Sequence, residues 1–553
     1  MRNILFVLLF SACCGPATAD TDTDIALQDL QRAIQMIDAT MERSFTGSVN
    51  NMRMYDTYNT ETKQGSGTAD VWPYTAALEA HCSVLEALEA LKEQAPQLYD
   101  DTHDRYVTRL KQLFGSLDYY RGTYTLNSYA RVASWSIYGV HRGGSKGTAA
   151  VTGIENVYDD QMWICRELVR AYKLTGDNDY LSKAEYLANY CIDGWDCCPD
   201  ANGKDYGGIS WGPGYNSKHS CSNGPIIQPL VWLYEIYKAD DEQANLRYYY
   251  ILPDGTRTNE MRRHSDVYLE MACKVYAWQK EKLLNKNTGV YWDMLGAVTG
   301  EIQYVGEGRN KYRTHVDSQG PSGTAYTYNT GTMLAGAAEL YRVTSGLDAS
   351  VALESQLTPE DYLADVNALA QSSWRNFAKG KRINGKVFFE WPTDPKAEEG
   401  FNVWFDDVLM RAYVDAAPYN TTIYNNKTHA QNALLSYEQN LNYAYENFNR
   451  DEMLPINLLN GWDVSTGNAN VTKGFHQLAF AAEYAMLAVW HQRLAAQTDA
   501  IHAPVPYGAT LSHPSAHACY NLLGQRLSHH PSNISHHPSP IYIVNGRKYV
   551  RYE

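Results

Sequence analysis

The chain reads as an all-α protein, an (α/α)6 barrel with a short β-hairpin-like tail at its C-terminal end. Between residues 24 and 496 apolar side chains recur at helical spacing, and sustained apolar/polar alternation is scarce. The first helix shows the pattern, because Leu27, Leu30, Ile34, Ile37 and Met41 follow the three-or-four spacing of one buried stripe. Further helices are expected near 71–93, 103–121, 157–175, 179–194, 222–239, 258–284, 323–344, 358–378, 400–415, 427–449 and 474–496. The stretches between them are rich in Gly, Asn, Asp and Pro, which supply turn geometry. Helix pairs joined by alternating short and long loops fit either a solenoid or a closed ring. A solenoid should repeat at a fixed period, and the sequence has none. The closed double ring is therefore expected, its long loops gathered at one end as a cleft.

The flanks differ in character. Arg2, the apolar run Ile4 to Phe10 and the small residues after it read as an export signal, too short to span a membrane. Ala17-Thr18-Ala19 suits ordinary signal peptidase, whereas Phe10-Ser11-Ala12-Cys13 resembles a lipobox that would put a lipid anchor on Cys13. The expected layout is a signal over 1–19, a catalytic domain over 24–496, a linker over 497–518 and a β-rich tail over 519–553. Seven of the chain's 16 histidines, His502, His513, His517, His529, His530, His536 and His537, lie among Pro and Ser in this last region, a low-complexity composition. Asn545-Gly546 between β-prone runs is a hairpin signal.

Composition bounds the partners. A formal net charge of -15 excludes a nucleic-acid backbone as partner, since that needs clustered Lys and Arg. The 43 Tyr and 13 Trp offer flat apolar faces with polar edges, which suit sugar rings as well as a large core. Cleavage after Ala19 would leave Cys82, Cys165, Cys191, Cys197, Cys198, Cys221, Cys273 and Cys519, and the Cys191–Cys221 cluster is where a disulfide is expected. No CxxC pair is present, so no metal is expected. No cofactor is expected either.

Glycosidic cleavage needs two carboxyl groups, and the sequence holds four Asp-Asp pairs. Asp100-Asp101 and Asp240-Asp241 sit in polar surroundings. Asp406-Asp407 lies inside an apolar helix, GFNVWFDDVLMRAY. Asp159-Asp160 falls where the loop of Gly153 and Asn156 gives way to a helix whose buried stripe is Met162, Cys165, Leu168 and Tyr172. A helix start stabilises an ionised carboxylate, and neighbouring like charges raise the pKa of one member. One residue would then act as acid and the other as base, with carboxyls about 5 Å apart, as retention requires. The same residues also read as a helix cap and a first-turn acid.

VYDDQMWICRELVRAYKLTGDNDYLSKA resembles the YYDDNAWW…LLRAYELTGDxxYL block of glycoside hydrolase family 76, the endo-α-1,6-mannanases. YGGISWGPGYNSKHSCSNG, TGVYWDML and YTYNTGTMLAGAAELYRVTSG resemble further blocks of that family in the same order, and VWPYTAALEA resembles an upstream helix start. The resemblance runs from about residue 71 to 490. It implies a retaining endo-acting enzyme on α-mannan, with Asp159 as nucleophile and Asp160 as general acid/base. It also implies that Trp72, Trp211, Asn223, Asp293, Tyr328 and Asn329 bind substrate, and that Asp407 is structural. Gln161, His219 and Thr330 depart from the family pattern, and ANLRYYYILPDGTRTNEMRR (244–263) lengthens one connection. None of these touches the carboxylates, but several could alter which side branches are accepted.

ACYNLLGQRL with PIYIVNGRKYVRYE resembles the C-terminal sorting signals of type IX export in certain Gram-negative bacteria. A monomer outside the cytoplasm is expected, secreted, periplasmic or on the cell surface. Two other functions fit a barrel of this kind, an unsaturated-uronide hydrolase and a non-catalytic glycan-binding surface protein.

Overall fold

The computed structural model describes residues 21–240, 246–347, 357–393, 400–462 and 469–502, with short strands at 519–521, 526–527, 541–544 and 547–550. The chain forms two units, Leu27–Val489 and a smaller one drawn from Met1–Ala26 and Trp490–Glu553. Among the described residues the helices are α1 (Asp22–Arg43), α2 (Val71–Ala90), α3 (Pro96–Leu117), α4 (Tyr158–Thr175), α5 (Asn178–Asp193), α6 (Gly224–Asp240), α7 (His264–Leu283), α8 (Thr327–Thr344), α9 (Pro359–Phe377), α10 (Asn402–Ala416), α11 (His429–Phe448) and α12 (Gly474–His502). Every expected helix is present, and together they form an (α/α)6 barrel.

The even-numbered helices make the inner ring. Their apolar and small residues run around the whole circumference, as in the buried run Tyr74 to Leu85 of α2 and Thr327 to Ala338 of α8. The outer helices α3, α5, α9 and α11 bury one face each, as a helix with water on the other side must. Each inner helix packs on the next from α2 to α10, and each of α2, α4, α6, α8 and α10 on the outer helix that follows it. Phe475 at the start of α12 closes the ring, its centroid 5.9 Å from Trp72 of α2 and 6.2 Å from Phe401 before α10. Small residues set the spacing. A Cβ on Gly331 of α8 would lie 2.8 Å from Leu409 Cα of α10, so the two backbones approach only because glycine stands there.

A buried ion network ties four inner helices together. Glu79 of α2 accepts from Arg411 and, at 3.1 Å, from the Trp404 indole of α10, and Arg166 of α4 lies 3.4 Å away. Arg166 also pairs with Glu167 and donates to Gln228 of α6 at 3.4 Å. Arg170 bonds Glu167 at 2.8 Å and Glu86 at 2.7 Å. Burial alone would raise the Glu79 carboxyl, but Arg411 and Arg166 hold it below its usual value. Asp407 has no partner for either carboxyl oxygen, and burial together with the Glu79 charge keeps its proton on.

Several segments depart from expectation. Residues 258–263, expected at the start of a helix, fall largely in the strand Arg257–Arg262, which pairs with Leu246–Ile251. The inserted segment is therefore a β-hairpin, and α7 begins only at His264. The helix expected over 103–121 ends at Leu117, because Arg121–Asn127 pairs with Val132–Tyr138. A third hairpin, Lys379–Ile383 with Lys386–Glu390, turns on Asn384 and Gly385 at φ 49 and 83. The disulfide expected among Cys191 to Cys221 is absent: Cys191, Cys197, Cys198 and Cys221 are buried thiols outside any disulfide. Cys191 Sγ instead points to the Tyr158 carbonyl at 3.9 Å, and Cys221 stands beside Asp159.

In the smaller unit, α12 continues to His502, into the stretch expected to be linker, because its sequence goes on in helix-forming Leu, Ala and Gln. Ile541–Val544 pairs antiparallel with Arg547–Val550. Residues 1–19, the rest of the linker and the Asn545-Gly546 turn lie outside the described residues. No described helix is long and apolar enough to cross a membrane.

Removing Arg411 leaves Glu79 short of its main partner in a buried site. Arg411→Met is expected to cost about 3–5 kcal/mol, read as a lower urea midpoint, and Glu79→Gln added to it should restore part of the loss. A cost below about 1 kcal/mol would show that the network does not hold the barrel.

Candidate active site

The inner helices direct their N-termini to one end of the barrel. Trp72 on α2 packs at 5.4 Å against Trp404 and at 5.8 Å against Phe405 of α10, and Phe405 lies 4.4 Å from Tyr328 at the start of α8. Cys221, hydrogen-bonded to both Tyr328 and Asp159, joins this aromatic cluster to the first turn of α4.

Asp159 and Asp160 are the second and third residues of α4, after Val157 at the cap, so neither serves as the N-cap. Three contacts place that turn. The Tyr158 N–H donates to Trp211 O at 2.8 Å. Gln161 accepts from Tyr138 N at 3.0 Å and donates to Tyr138 O at 2.7 Å, so it pins α4 to the strand Val132–Tyr138. Behind it, Tyr158 rests on Tyr190 with centroids 5.0 Å apart.

The two carboxyls have different surroundings. Burial raises Asp159 to about 6, against the pull of the Cys221 thiol, the backbone N–H groups of Asp159 and Asp160, and the Trp211 indole. Asp159 Oδ1 and Trp211 Nε1 are nonetheless buried without a full hydrogen bond. Asp160 is 4% exposed; burial, the Asp159 charge and then the Asp70 charge push it well above the ordinary carboxylate range. Asp160 therefore holds its proton more tightly than Asp159.

The opposite wall comes from a small sheet. Met294 pairs with His219 and Leu295 with Lys218, and Ser220 N donates to Asp293 O at 2.7 Å. Asp293 is half-buried, raised to about 6 by burial and pulled back by the Tyr328 hydroxyl. His219 Nδ1 stands 3.9 Å from Asp293, and burial lowers that imidazole to about 4, so it is neutral. Gly323, at φ +89, lets the chain pass Asp293, where a Cβ would come within 2.6 Å of the aspartate Cβ.

Asp159, Asp160, Trp72, Trp211, Asp293 and Tyr328 thus meet at the same end. Trp211 lies between Tyr215 at 4.6 Å and His219 at 4.8 Å. Asn223 is there but turned inward. It is fully buried, accepts from Ile209 N at 2.8 Å and donates to Ile209 O and His219 O at 2.9 and 2.8 Å, so it braces the Trp211 loop. Asn329 is also buried; its amide nitrogen reaches Thr324 O at 3.4 Å and its Oδ1 is unpartnered. Thr330 beside it accepts from Tyr291 N at 3.2 Å. Two neighbours of the carboxylates were not singled out by the sequence: Cys221, between Asp159 and Tyr328, and Asp70, whose charge acts on Asp160. Asp406 is bonded by Thr327 at 2.8 Å and belongs to the barrel wall.

The glycosyl hydrolase family 76 model matches residues 94–246 and 259–497. The chain belongs to this family. The match breaks inside the hairpin of residues 246–262, and Trp72 and Asp70 lie before it. Solved structures agree on the fold. The family 76 mannosidase of Bacteroides thetaiotaomicron VPI-5482 aligns at 20% identity and a TM-score of 0.56, over 84% of this chain and 100% of that one. An α-1,6-mannanase of Salegentibacter sp. HEL1_6 aligns at 19% identity and a TM-score of 0.52, over 84% and 99%. That structure is of an inactive variant with two consecutive aspartates replaced, in complex with α-1,6-mannotriose. An α-mannanase of Bacteroides thetaiotaomicron aligns at 16% identity and a TM-score of 0.52, over 85% and 96%. Nothing among curated proteins matches. The family 76 enzyme is a glycoside hydrolase.

Because the Tyr328 hydroxyl holds Asp293 down, Tyr328→Phe is expected to raise the Asp293 pKa above about 6. Carbon-13 NMR of the labelled carboxyl would follow it; an unchanged titration would show that the two groups are not in contact.

Proposed function

We propose that this family 76 enzyme is a retaining, endo-acting glycosidase that cleaves α-1,6-mannosidic linkages in mannan, with Asp159 as nucleophile and Asp160 as general acid/base. The observation that carries the reading is the unequal proton affinity of adjacent carboxyls at one helix start: Asp159 about 6, Asp160 well above. The Salegentibacter neighbour, inactive without two consecutive aspartates and holding an α-1,6-mannan fragment, supports it.

In the first step the Asp159 carboxylate attacks the anomeric carbon. The bond to the leaving oxygen breaks as that oxygen takes the Asp160 proton, which leaves a glycosyl ester on Asp159. In the second step the Asp160 carboxylate accepts a proton from water. The resulting hydroxide attacks the anomeric carbon from the face the leaving group left, and the ester opens with net retention. Trp72, Trp211 and Tyr328 supply ring faces for the sugars, Asp293 a carboxylate for their hydroxyls, and Asn223 and Asn329 hold the walls. The apolar run Ile4 to Phe10 supports export to where such a polymer is met.

Asp159→Ala and Asp160→Ala should each lower oligosaccharide release from unbranched α-1,6-mannan by about a thousandfold or more, with helical circular dichroism retained. Full activity in either variant overturns the assignment. Proton NMR of the first product should show the α anomer; initial β product would mean inversion.

Asp159 works ionised, so kcat/KM should rise with pH through about 6, and Asp160 works protonated, so the rate should fall at higher pH as that proton leaves. An acid limb near the ordinary carboxylate value of about 4 would contradict the burial of Asp159.

A further inference from the structure

A second feature of the same end has no place in that mechanism. A cavity of about 640 Å³ is lined by Arg53, Asp70, His141, Arg142 and Gly144, among others. It is built on firm backbone. Arg53 pairs with Thr46 across a two-stranded ladder, and the loop after Tyr138 is tied down by Gly143 N to Tyr119 O at 2.8 Å and Gly147 N to Asp118 O at 2.9 Å. Asp70, at the start of α2, joins the cavity to the carboxylate pair, because its charge is felt at Asp160.

The charges of this cavity do not cancel. Its one carboxylate, Asp70, is taken by His141 Nδ1 at 2.7 Å. Among the described residues neither Arg53 nor Arg142 is in an ion pair. Arg142 bonds the Asn51 side-chain carbonyl, lies 3.9 Å from the centroid of Tyr119, and leaves Nη1 buried without a partner. Arg53 adds repulsion to the burial that already disfavours the Arg142 charge. In a chain of net charge -15, two neighbouring arginines share this cavity with neither in an ion pair, and the half-buried Arg142 carries an unsatisfied guanidinium nitrogen. A guanidinium with free N–H groups is the group that recognises oxyanions in a fixed geometry.

We propose that the Arg53–Arg142 cavity is an anion-binding subsite beside the catalytic pair, which takes a phosphate or carboxylate group carried on the glycan chain. This rests on the glycosidase reading above. Such an enzyme would act on acidic glycans, with the anionic substituent held on the α2 side of Asp160. The hydrogen bonds would be charge-assisted, with Arg142 as the half-buried donor and Arg53 a second cation at the rim.

The test compares kcat/KM on three α-1,6-linked mannan oligosaccharides of equal length: neutral, carrying a phosphate monoester, and carrying a uronate. The full-length enzyme should prefer at least one acidic substrate, and the arm that gains identifies the anion. Arg142→Met should reduce the acidic-to-neutral ratio by about tenfold or more, and Arg142→Lys should retain part of it. Arg53→Met, at an exposed position, gives a smaller loss and covers the case in which Arg142→Met fails to fold. A preference for the neutral substrate in the unmodified enzyme, or a ratio that no arginine variant moves, overturns the subsite while leaving the glycosidase intact. If no oligosaccharide is cleaved, the glycosidase reading fails instead. Calorimetric titration with inorganic phosphate then decides the subsite: binding abolished by Arg142→Met supports it, and no binding overturns it.

Discussion

The barrel is organised around a charge that water cannot reach. Glu79 sits in the inner ring with Arg411 and Trp404 on one side and Arg166 on the other. Bringing carboxylates and guanidinium groups into a core is costly unless each finds its partner, so the network is satisfied only when α2, α4 and α10 have a single relative register. The register of α4 places its first turn, and with it Asp159 and Asp160. Gly331 acts in the same direction, because only a residue without a Cβ lets α8 and α10 come together. The position of the candidate catalytic pair thus follows from packing deep in the barrel, well below the cleft.

At the cleft, burial and the helix start act against one another. Taking a carboxyl out of water favours its protonated form, and both aspartates feel that. Asp159 alone has the first-turn N–H groups, the Cys221 thiol and the Trp211 indole to offset it. Asp160 has instead the charges of Asp159 and Asp70. Two identical side chains in sequence thereby come to differ in proton affinity. The same physics applies to Asp407, which has no donor on either carboxyl oxygen and is raised by burial and the Glu79 charge.

Much of this was legible in the residues. Helical spacing located every helix, because inner and outer helices alike bury enough apolar surface to imprint a period of 3.6. The hairpins were harder. The Asn384-Gly385 step is a turn signal of the same kind as Asn545-Gly546, yet only one flank, Lys386–Glu390, carries an apolar run, while Lys379–Ile383 is too polar to read as a strand. The hairpin Leu246–Ile251 with Arg257–Arg262 passed as connection and helix because Arg and Glu are good helix formers; pairing with a tyrosine-rich strand decided otherwise. The cysteine cluster invited a disulfide, but spacing says nothing of where thiols point.

By itself the sequence determined the all-α class, the twelve helices and the helix start that carries Asp159 and Asp160, since each depends on near neighbours along the chain. Only the tertiary structure decided that Asn223 braces a wall, that Cys221 and Asp70 stand beside the carboxylates, and that Arg53 and Arg142 share a cavity with neither in an ion pair among the described residues. Those facts come from residues far apart in sequence, brought together by ring closure. Proton affinity and charge balance depend on that distance in space, which no local pattern encodes.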